Sequence, residues 1–501
     1  MKVEEKICLI IPPSIFLLDE RVFPSLGILK VASSLEARDY NVDVLDLSGY
    51  SNFEDILEEY CSQNNTRIFG ITTTTPQMPA SYTVAKKIRS LKSDSKLIIG
   101  GPHPTLISSA CKRENKKLNI TGRAHKAYRE LEKSFDVIVA GDGEDAIFEA
   151  IKIIVDGKED IRFVDGDDPK TSLFLTDKTL ELTPWPARHL IDLDSYHYQI
   201  EGKKSTSLIS QLGCPFMCAF CGGRYSPMLR RIRSRSTQNV VDEIKFLHEQ
   251  YGYTGFMFYD DELNVNKEMI VLMNSITDLQ SSLGVDFRLR GFVKSELFSD
   301  EQAKVLHRAG FRQLLTGFES GSERILSNID KKATKAENFR AVKIAKDNNL
   351  KVKALMSIGH AGESIETIQD TKQWLLDAEP DDFDCTIITT YPGTPYYDDA
   401  VETSKGIWTY THRKTNDRLH AYELDYNTTA DYYKGDPDGG YKAYVFTDYI
   451  TSEQLVIERD KLEKEVREKL NIPFNAAASS VNYEHSMGQG LPANILRRTC
   501  G

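Results

Sequence analysis

The chain has 501 residues, of which 27% are charged and 40% are hydrophobic, and its formal net charge is −11. This composition is typical of a globular protein that is long enough for roughly two or three domains. The negative charge argues against nucleic acid as a partner, because phosphate binding requires a basic face. No apolar stretch approaches the roughly 20 residues that a membrane-spanning helix needs, so we predict no membrane span. Eight cysteines, of which only three cluster, are too few for a disulfide scaffold in a chain of this length, which favours a reducing, cytoplasmic location.

The first part of the chain alternates short apolar runs with amphipathic stretches, a pattern that predicts βαβ units around a parallel sheet. The polar, basic stretch Lys112–Lys133 is predicted to be a surface insertion. The predicted strands are Ile7–Ile11, Val42–Leu45, Ile68–Ile71, Leu97–Ile99 and Val137–Val139. The predicted helices are Leu26–Ala37, Phe53–Tyr60, Ser81–Leu91 and Glu144–Val155. We therefore predict a Rossmann-like α/β domain over residues 1–156.

Residues 157–204 are predicted to be a linker, because they contain the polar segment Asp165-Gly166-Asp167-Asp168-Pro169. A second βα series follows over residues 205–400 and favours a partial (β/α)6 barrel of the TIM type. Its predicted strands are Thr206–Ser210, Gly255–Tyr259, Asp286–Leu289, Gln313–Thr316, Lys353–Ser357 and Asp384–Ile388. The remaining residues, 401–501, lack clear periodicity except for a helix at Ser452–Leu470, and predict a small, mostly helical capping region.

Three cysteines, Cys214, Cys218 and Cys221, lie in one loop at the start of the second series. Thiolates are soft ligands for iron–sulfur clusters or zinc. Three of them, with no fourth Cys or His close behind, leave a coordination position open, which is what a catalytic site needs. The other cysteines are interpreted as buried small hydrophobic residues or free surface thiols: Cys8, Cys61, Cys111, Cys385 and Cys500.

Ligands of open parallel sheets bind outside the carboxyl ends of the strands. In the first domain these ends carry glycines, which allow a close approach of the backbone, and hydroxyls, which form hydrogen bonds. There is no Gly-x-Gly-x-x-Gly after the first strand and no Walker loop, so nucleotide binding is the weaker interpretation. The candidate ligand-binding residues are Thr72, Thr73, Thr74, Gln77, Gly100, Gly101, His103, Gly141, Gly143 and Glu144.

Taken in this order, the motifs resemble those of the cobalamin-dependent radical S-adenosylmethionine (SAM) enzymes. The cysteine loop, with Phe220 before its last cysteine, resembles the radical SAM motif, and the strand ends resemble a cobalamin-binding domain. The resemblance implies that the three cysteines hold a 4Fe–4S cluster whose open iron binds SAM. It also implies that the candidate residues of the first domain bind cobalamin. Asp-x-His-x-x-Gly is absent, which implies no histidine on cobalt, although His103 is a candidate for that role.

The resemblance further places SAM contacts at the ends of the barrel strands. These residues are Phe220, Asp260, Asp261, Arg290, Glu319, Ser320 and Gly359. Acidic side chains suit the SAM ammonium, and Arg290 suits a carboxylate or an anionic substrate. His360 and Arg290 are the catalytic candidates; the alternatives are a hydrogen-bonded loop histidine and an ordinary barrel salt bridge. The basic run Arg230–Arg235 is either a solvated surface or a contact for SAM or the cluster.

The activity implied by this resemblance is reductive cleavage of SAM to a 5′-deoxyadenosyl radical. The resemblance favours methylation of an unactivated carbon of a small molecule or natural product, through methylcobalamin. An external electron donor of the flavodoxin or ferredoxin type would be the partner. The alternatives are oxidation, cyclisation or rearrangement without methyl transfer, and a non-enzymatic cobalamin or cluster sensor. Methylthio transfer is disfavoured because the N-terminal cysteines do not form a motif for a second cluster.

Overall fold

The computed structural model describes residues 6–14, 20–117, 122–158, 162–432 and 442–472. The N-terminal part is a six-stranded parallel sheet in the order β2-β1-β3-β4-β5-β6. Its strands are β1 Ile7–Ile11, β2 Val42–Asp46, β3 Ile68–Thr72, β4 Lys96–Gly100, β5 Val137–Gly141 and β6 Phe163–Gly166. Its helices are α1 Leu26–Glu36, α2 Phe53–Gln63, α3 Met78–Leu91, α4 Pro102–Lys116, α5 Arg123–Ser134 and α6 Gly143–Val155. Apolar side chains are buried on both faces of the sheet. The predicted Rossmann-like architecture is confirmed.

Two segments of this region differ from the prediction. The stretch Lys112–Lys133 is not an insertion, because its described residues belong to α4 and α5. Only a few apolar residues, such as Leu131, form the buried faces of these helices. The many lysines and arginines around them make the stretch look like a polar insertion in the sequence. The predicted linker supplies β6, a short helix α7 (Asp177–Leu182) and strand β7 (Gln199–Ile200). The acidic segment after β6 therefore lies at the carboxyl edge of the sheet.

The second part is a seven-stranded sheet in the order β15-β14-β13-β12-β11-β8-β7. Six parallel strands form the predicted partial barrel, and β7 pairs antiparallel to β8 at its edge. The strands are β8 Lys203–Leu208, β11 Gly255–Phe258, β12 Arg288–Phe292, β13 Phe311–Glu319, β14 Lys351–Ile358 and β15 Asp382–Ile387. A small ladder joins β9 (Gln211–Leu212) to β10 (Arg233–Ser234). The helices are α8 Pro227–Arg230, α9 Thr237–Tyr251, α10 Met269–Leu283, α11 Asp300–Ala309, α12 Glu323–Asn328, α13 Lys335–Asp347, α14 Ile365–Ala378 and α15 Pro395–Asp398.

The prediction of a mostly helical C-terminal region is wrong. Its described residues form a four-stranded antiparallel sheet, followed by helix α16 (Ser452–Leu470). The strands are β16 Val401–Ser404, β17 Ile407–Thr411, β18 Arg418–Tyr422 and β19 Val445–Thr447. Alternating burial in Arg418–Tyr422, with Leu419 and Ala421 inside, is the pattern of a half-buried strand. This short alternation does not stand out beside the many tyrosines and aspartates around it. Within the described residues, no helix combines the length and apolar character needed to cross a bilayer.

Candidate active site

A cavity of about 490 Å³ lies between the carboxyl ends of the N-terminal strands and the barrel. From the first part it is lined by all of the predicted ligand-binding residues except Thr73 and His103. From the barrel it is lined by Ser207, Ile209, Leu212, Met228, Leu229, Arg235, Glu243 and Tyr259. The volume is in the range of small-molecule and cofactor sites. Two halves of the chain therefore form one binding site.

The glycines at the strand ends allow this cavity to form. Gly101 has a φ of +97°, and a Cβ there would lie 2.8 Å from the backbone nitrogen of Thr73. Gln77 fixes the loop after β3, because its Oε1 accepts a hydrogen bond from the Thr74 backbone at 2.9 Å. The Gln77 amide group also donates to Ser14 at 2.9 Å, joining this loop to the loop after β1.

Thr73 and His103 are buried behind these loops. The His103 side chain is 2% exposed, and its Nδ1 lies 3.0 Å from the Thr75 hydroxyl. Burial lowers the pKa of His103 to about 3, so the ring is neutral. The Thr73 hydroxyl accepts a hydrogen bond from Ser81 at 2.9 Å. These contacts give both side chains a role in holding the loops; their predicted contact with cobalamin stays a prediction.

Sequence reasoning missed other residues of the cavity wall. Lys30 of α1 lies 3.5 Å from Glu144, and both line the cavity. Trp185, with the prolines on either side, lines it from the predicted linker. The Pro-Trp-Pro segment was a usable signal for packing against a domain, whereas nothing in the sequence distinguishes Lys30 from other surface lysines.

The three cysteines lie in the loop between β9 and α8. The Cys214 amide donates to the Leu229 carbonyl at 3.0 Å, and the Cys221 amide donates to the Cys218 carbonyl at 3.2 Å. Burial raises the pKa of Cys214 to about 11, and the nearby thiol of Cys218 adds to this shift. Neighbouring thiolates therefore repel one another unless a positive centre binds them.

The chemistry of these three thiols fits an iron–sulfur cluster, because such clusters are held by cysteine thiolates. Two buried lysines supply positive charge beside the loop: Lys294 Nζ lies 4.2 Å from the Phe216 ring centroid, and both Lys294 and Lys331 lower the pKa of Cys218 against the stronger effect of burial.

Asp260 holds the backbone that leads into the cysteine loop. The side chain is buried and accepts hydrogen bonds from the backbone of Ser210 at 2.8 Å and of Gln211 at 2.5 Å. Burial raises its pKa to about 7. Burial also raises the pKa of Glu262 to about 7. Asp261, which lies between these two residues in the sequence, is exposed. Of the two predicted acidic SAM contacts, Asp261 is the one whose side chain is accessible.

A hydrogen-bonded chain of buried and half-buried side chains contacts the cysteine loop through Phe220, and we name it the Lys331–Tyr396 chain. Lys331 donates to Glu319 Oε1 at 3.2 Å, and the Ser357 hydroxyl donates to Glu319 Oε2 at 2.7 Å. His360 Nε2 lies 2.8 Å from Ser357 Oγ, and the Tyr396 hydroxyl lies 3.3 Å from His360 Nδ1. The Phe220 ring lies 5.2 Å from the His360 ring. Of its five members, sequence reasoning identified Glu319 and His360 and missed the other three; it also identified Phe220, whose ring packs against the chain.

The remaining predicted residues are also buried. Ser320 hydrogen-bonds to Thr371 at 3.1 Å, and the Gly359 amide donates to Glu363 at 3.0 Å. Arg290 is 3% exposed on β12 and donates to the Tyr198 hydroxyl at 3.4 Å. Four of the scattered cysteines are buried as small hydrophobic residues: Cys8, Cys61, Cys111 and Cys385. Cys500 lies outside the described residues.

Comparisons with known proteins agree with this division. Residues 20–151 match the family model of the B12 binding domain, and residues 208–375 match that of the Radical SAM superfamily. An uncharacterised methyltransferase of Pyrococcus horikoshii is 27% identical over 410 residues, covering 79% of this chain and 83% of the relative. An anaerobic magnesium-protoporphyrin IX monomethyl ester cyclase of Rubrivivax gelatinosus is 24% identical over 385 residues, covering 74% of this chain and 65% of the relative.

A solved structure shares the fold across both parts. The radical SAM methyltransferase TsrM of Kitasatospora setae, solved with cobalamin and a 4Fe–4S cluster bound, superposes with a TM-score of 0.62 and 18% sequence identity. The match covers 82% of this chain and 81% of that protein. The order of the two parts is therefore common to both proteins.

Proposed function

We propose that this chain, which belongs to the cobalamin-dependent radical SAM enzymes, methylates an unactivated carbon atom of a small molecule. The cofactors of this family are a 4Fe–4S cluster, SAM and cobalamin. The observation that carries the proposal is the single cavity lined by both the B12-type strand ends and the barrel. The cluster with SAM, held beside this cavity, would supply radical chemistry, and cobalamin held in it would supply the methyl group. Proximity of the reacting groups is what the protein has to provide.

The residues of this chain divide that work. Cys214, Cys218 and Cys221 would hold the cluster. The glycine-rich ends of β4 and β5 would allow the corrin to approach the backbone closely. Glu319 and Lys331 present a carboxylate and an ammonium group in fixed positions beside the cysteine loop, and we assign them to SAM. The apolar side chains of Leu212, Met228 and Leu229 line the barrel wall of the cavity and keep water from it.

Methyl-labelled SAM tests this proposal. The enzyme is reconstituted anaerobically with iron, sulfide and cobalamin, and reduced by a flavodoxin- or ferredoxin-type donor, which we propose as its partner. Methylation predicts that 5′-deoxyadenosine and S-adenosylhomocysteine form together, and that the label enters the product. The absence of S-adenosylhomocysteine, with 5′-deoxyadenosine still formed, would contradict methyl transfer.

Cyclisation or oxidation without methyl transfer is the second candidate. The similarity to the Rubrivivax gelatinosus cyclase over 74% of this chain supports it. The same incubation separates the two candidates, because the second yields a product that has lost hydrogen and carries no label.

A further inference from the structure

Two glycine–aspartate pairs end neighbouring strands of the N-terminal sheet. Strands β5 and β6 pair in parallel with Gly141 opposite Gly166. A Cβ on either glycine would collide with backbone beside the facing strand end, at Asp167 for Gly141 and at Asp142 for Gly166. The two strands therefore approach closely, and Asp142 and Asp167 follow next to each other at the carboxyl edge.

Both carboxylates are buried and bind the barrel part of the chain. The Asp142 side chain is 1% exposed, forms an ion pair with Arg233 and accepts a hydrogen bond from the Leu175 amide at 2.8 Å. The Asp167 side chain is fully buried, and its Oδ1 accepts hydrogen bonds from the Ser226 hydroxyl at 2.7 Å and the Met228 amide at 2.8 Å. Buried carboxylates are costly unless they are paired in this way.

The barrel residues they bind belong to one segment, 226–233, which directly follows the cluster cysteines; we call it the clamped segment. Arg233 is 3% exposed and also donates to the Met228 carbonyl at 2.8 Å, which closes the segment on itself. The next carbonyl, that of Leu229, accepts the hydrogen bond of the Cys214 amide at 3.0 Å. The basic run Arg230–Arg235 is therefore not simply a solvated surface, since Arg233 and Arg235 are both paired with buried carboxylates.

The same contacts reach the cavity. Asp142, Met228 and Leu229 all line it, and Gly141 and Gly143 beside Asp142 are among the predicted cobalamin-binding residues. One short set of buried contacts thus connects the wall of the B12-type half with the first cluster cysteine. A buried ion pair is weak evidence for stability as such, but it can fix one arrangement of two elements.

We propose that Asp142 and Asp167 are positioning residues that fix the clamped segment, and with it the cysteine loop, against the cobalamin side of the cavity. This inference rests on the proposed function, because the cluster site and cobalamin need a fixed arrangement only if both act on one substrate. Without the clamp, the cluster site would still cleave SAM, but the radical would less often lead to product. The substitutions that test it are Asp142→Asn and Asp167→Asn, which keep the shape and remove the charge.

Hydrogen–deuterium exchange of the full chain measures the clamp without requiring activity. We expect each substitution to accelerate exchange of peptides covering residues 224–235 by about 30-fold, because the segment loses its charged partner and the remaining hydrogen bonds are weaker. The matched control is Asp145→Asn in the first turn of α6, three residues after Asp142. It removes a partly exposed ion pair with Arg38, which follows α1, and should leave these peptides unchanged. Equal exchange in all variants would overturn the proposal. If neither variant folds, exchange of the Met228 amide is measured in the unaltered chain instead. Rapid exchange of this amide would also overturn the proposal.

A second readout follows the reconstituted holoenzyme. We expect Asp167→Asn, whose side chain does not line the cavity, to retain iron and cobalamin and to cleave SAM within about threefold of the rate of the unaltered enzyme. This variant should form about 10-fold more 5′-deoxyadenosine per product, because the reacting groups are misplaced. Pulsed electron paramagnetic resonance should show a broader distribution of distances between the reduced cluster and paramagnetic cobalt. An unchanged distribution would overturn the proposal. Neither this distance nor the exchange depends on methyl transfer, so failure of the proposed function is distinguishable from failure of the clamp.

Discussion

The carboxylate of Glu319 and the imidazole of His360 share one hydroxyl group, that of Ser357. Ser357 donates to Glu319 at 2.7 Å, so its oxygen accepts from His360 Nε2 at 2.8 Å. His360 Nδ1 is then the acceptor for the Tyr396 hydroxyl at 3.3 Å. This direction requires a neutral ring, and burial lowers the pKa of His360 to about 4. The structure therefore favours a positioning role for His360 over acid–base catalysis.

Two substitutions of His360 separate these roles. Gln can donate to Ser357 and accept from Tyr396, so His360→Gln should change the dissociation constant for SAM by less than about threefold. Phe can do neither, and His360→Phe should weaken SAM binding about 10-fold through the loss of buried hydrogen bonds. Anaerobic calorimetry measures both values. A loss of about 100-fold in the rate of SAM cleavage for His360→Gln would instead indicate acid–base catalysis.

Lys331 is the charged end of the same chain and the residue we expect to matter most for SAM. It is 5% exposed, and although burial opposes its charge, Glu319 and the Cys218 thiol keep its pKa raised. Lys331→Met should raise the dissociation constant for SAM by about 30-fold, since the ammonium group assigned to SAM is lost and Glu319 keeps only the hydrogen bond from Ser357. The matched control is the exposed neighbour Lys332, whose replacement by Met should have no effect. Equal affinities of the two variants for SAM would show that Lys331 is not part of the SAM site.

The cysteine loop gives the most direct prediction. Replacing Cys214, Cys218 and Cys221 together with Ala should abolish both the iron–sulfur absorbance and the formation of 5′-deoxyadenosine. Cys111→Ala removes a buried thiol from the N-terminal core and should retain both, because this thiol only packs. Retained SAM cleavage in the triple variant would contradict the assignment of the cluster.

Much of the fold could be predicted because apolar periodicity and strand-end glycines are local signals. Strand β1 begins and ends as predicted at Ile7 and Ile11, and Gly101 lies at the end of its strand and lines the cavity. The sheet β16–β19 could not be predicted, since its strands are short and its inner side chains are few. Lys331 and Asp167 were missed for a different reason: in sequence they are an ordinary lysine and part of an acidic linker. Only contacts with distant residues, Glu319 and Ser226, give them a role.

Gly101 offers a test of the cavity wall. Its positive φ and the 2.8 Å approach to the Thr73 nitrogen leave no room for a side chain. Gly101→Ala should lower the free energy of unfolding by about 1–3 kcal/mol and weaken cobalamin binding, because the loop after β4 must move. Gly27→Ala is the control, as nothing lies within 4 Å of its added Cβ and it too lines the cavity. Thermal unfolding and titration with cobalamin measure the two effects. Equal cobalamin affinity in both variants would show that the loop after β4 is not part of the cofactor site.

His103 should make the stability of the chain depend on pH. Its folded-state pKa is about 3, against an ordinary value of 6.5, because burial disfavours the charged ring. Below pH 6.5 the unfolded chain takes up a proton that the folded chain cannot, so stability falls as the pH falls. Between pH 6.5 and 5 the loss from this one site is about 1.5 kcal/mol.

The substitution His103→Gln isolates this contribution from those of other groups. Gln can still hydrogen-bond to Thr75 and does not titrate, so the variant should lose about 1.5 kcal/mol less than the unaltered chain over the same pH interval. Denaturant unfolding at several pH values gives the difference. His189→Gln, at a position where the side chain is 57% exposed, serves as the control for the replacement of a histidine by Gln. A variant at position 103 whose stability falls as steeply as that of the control would show that His103 is accessible to protons in the folded state. The ring would then be free to face the cavity, as a ligand of cobalt must.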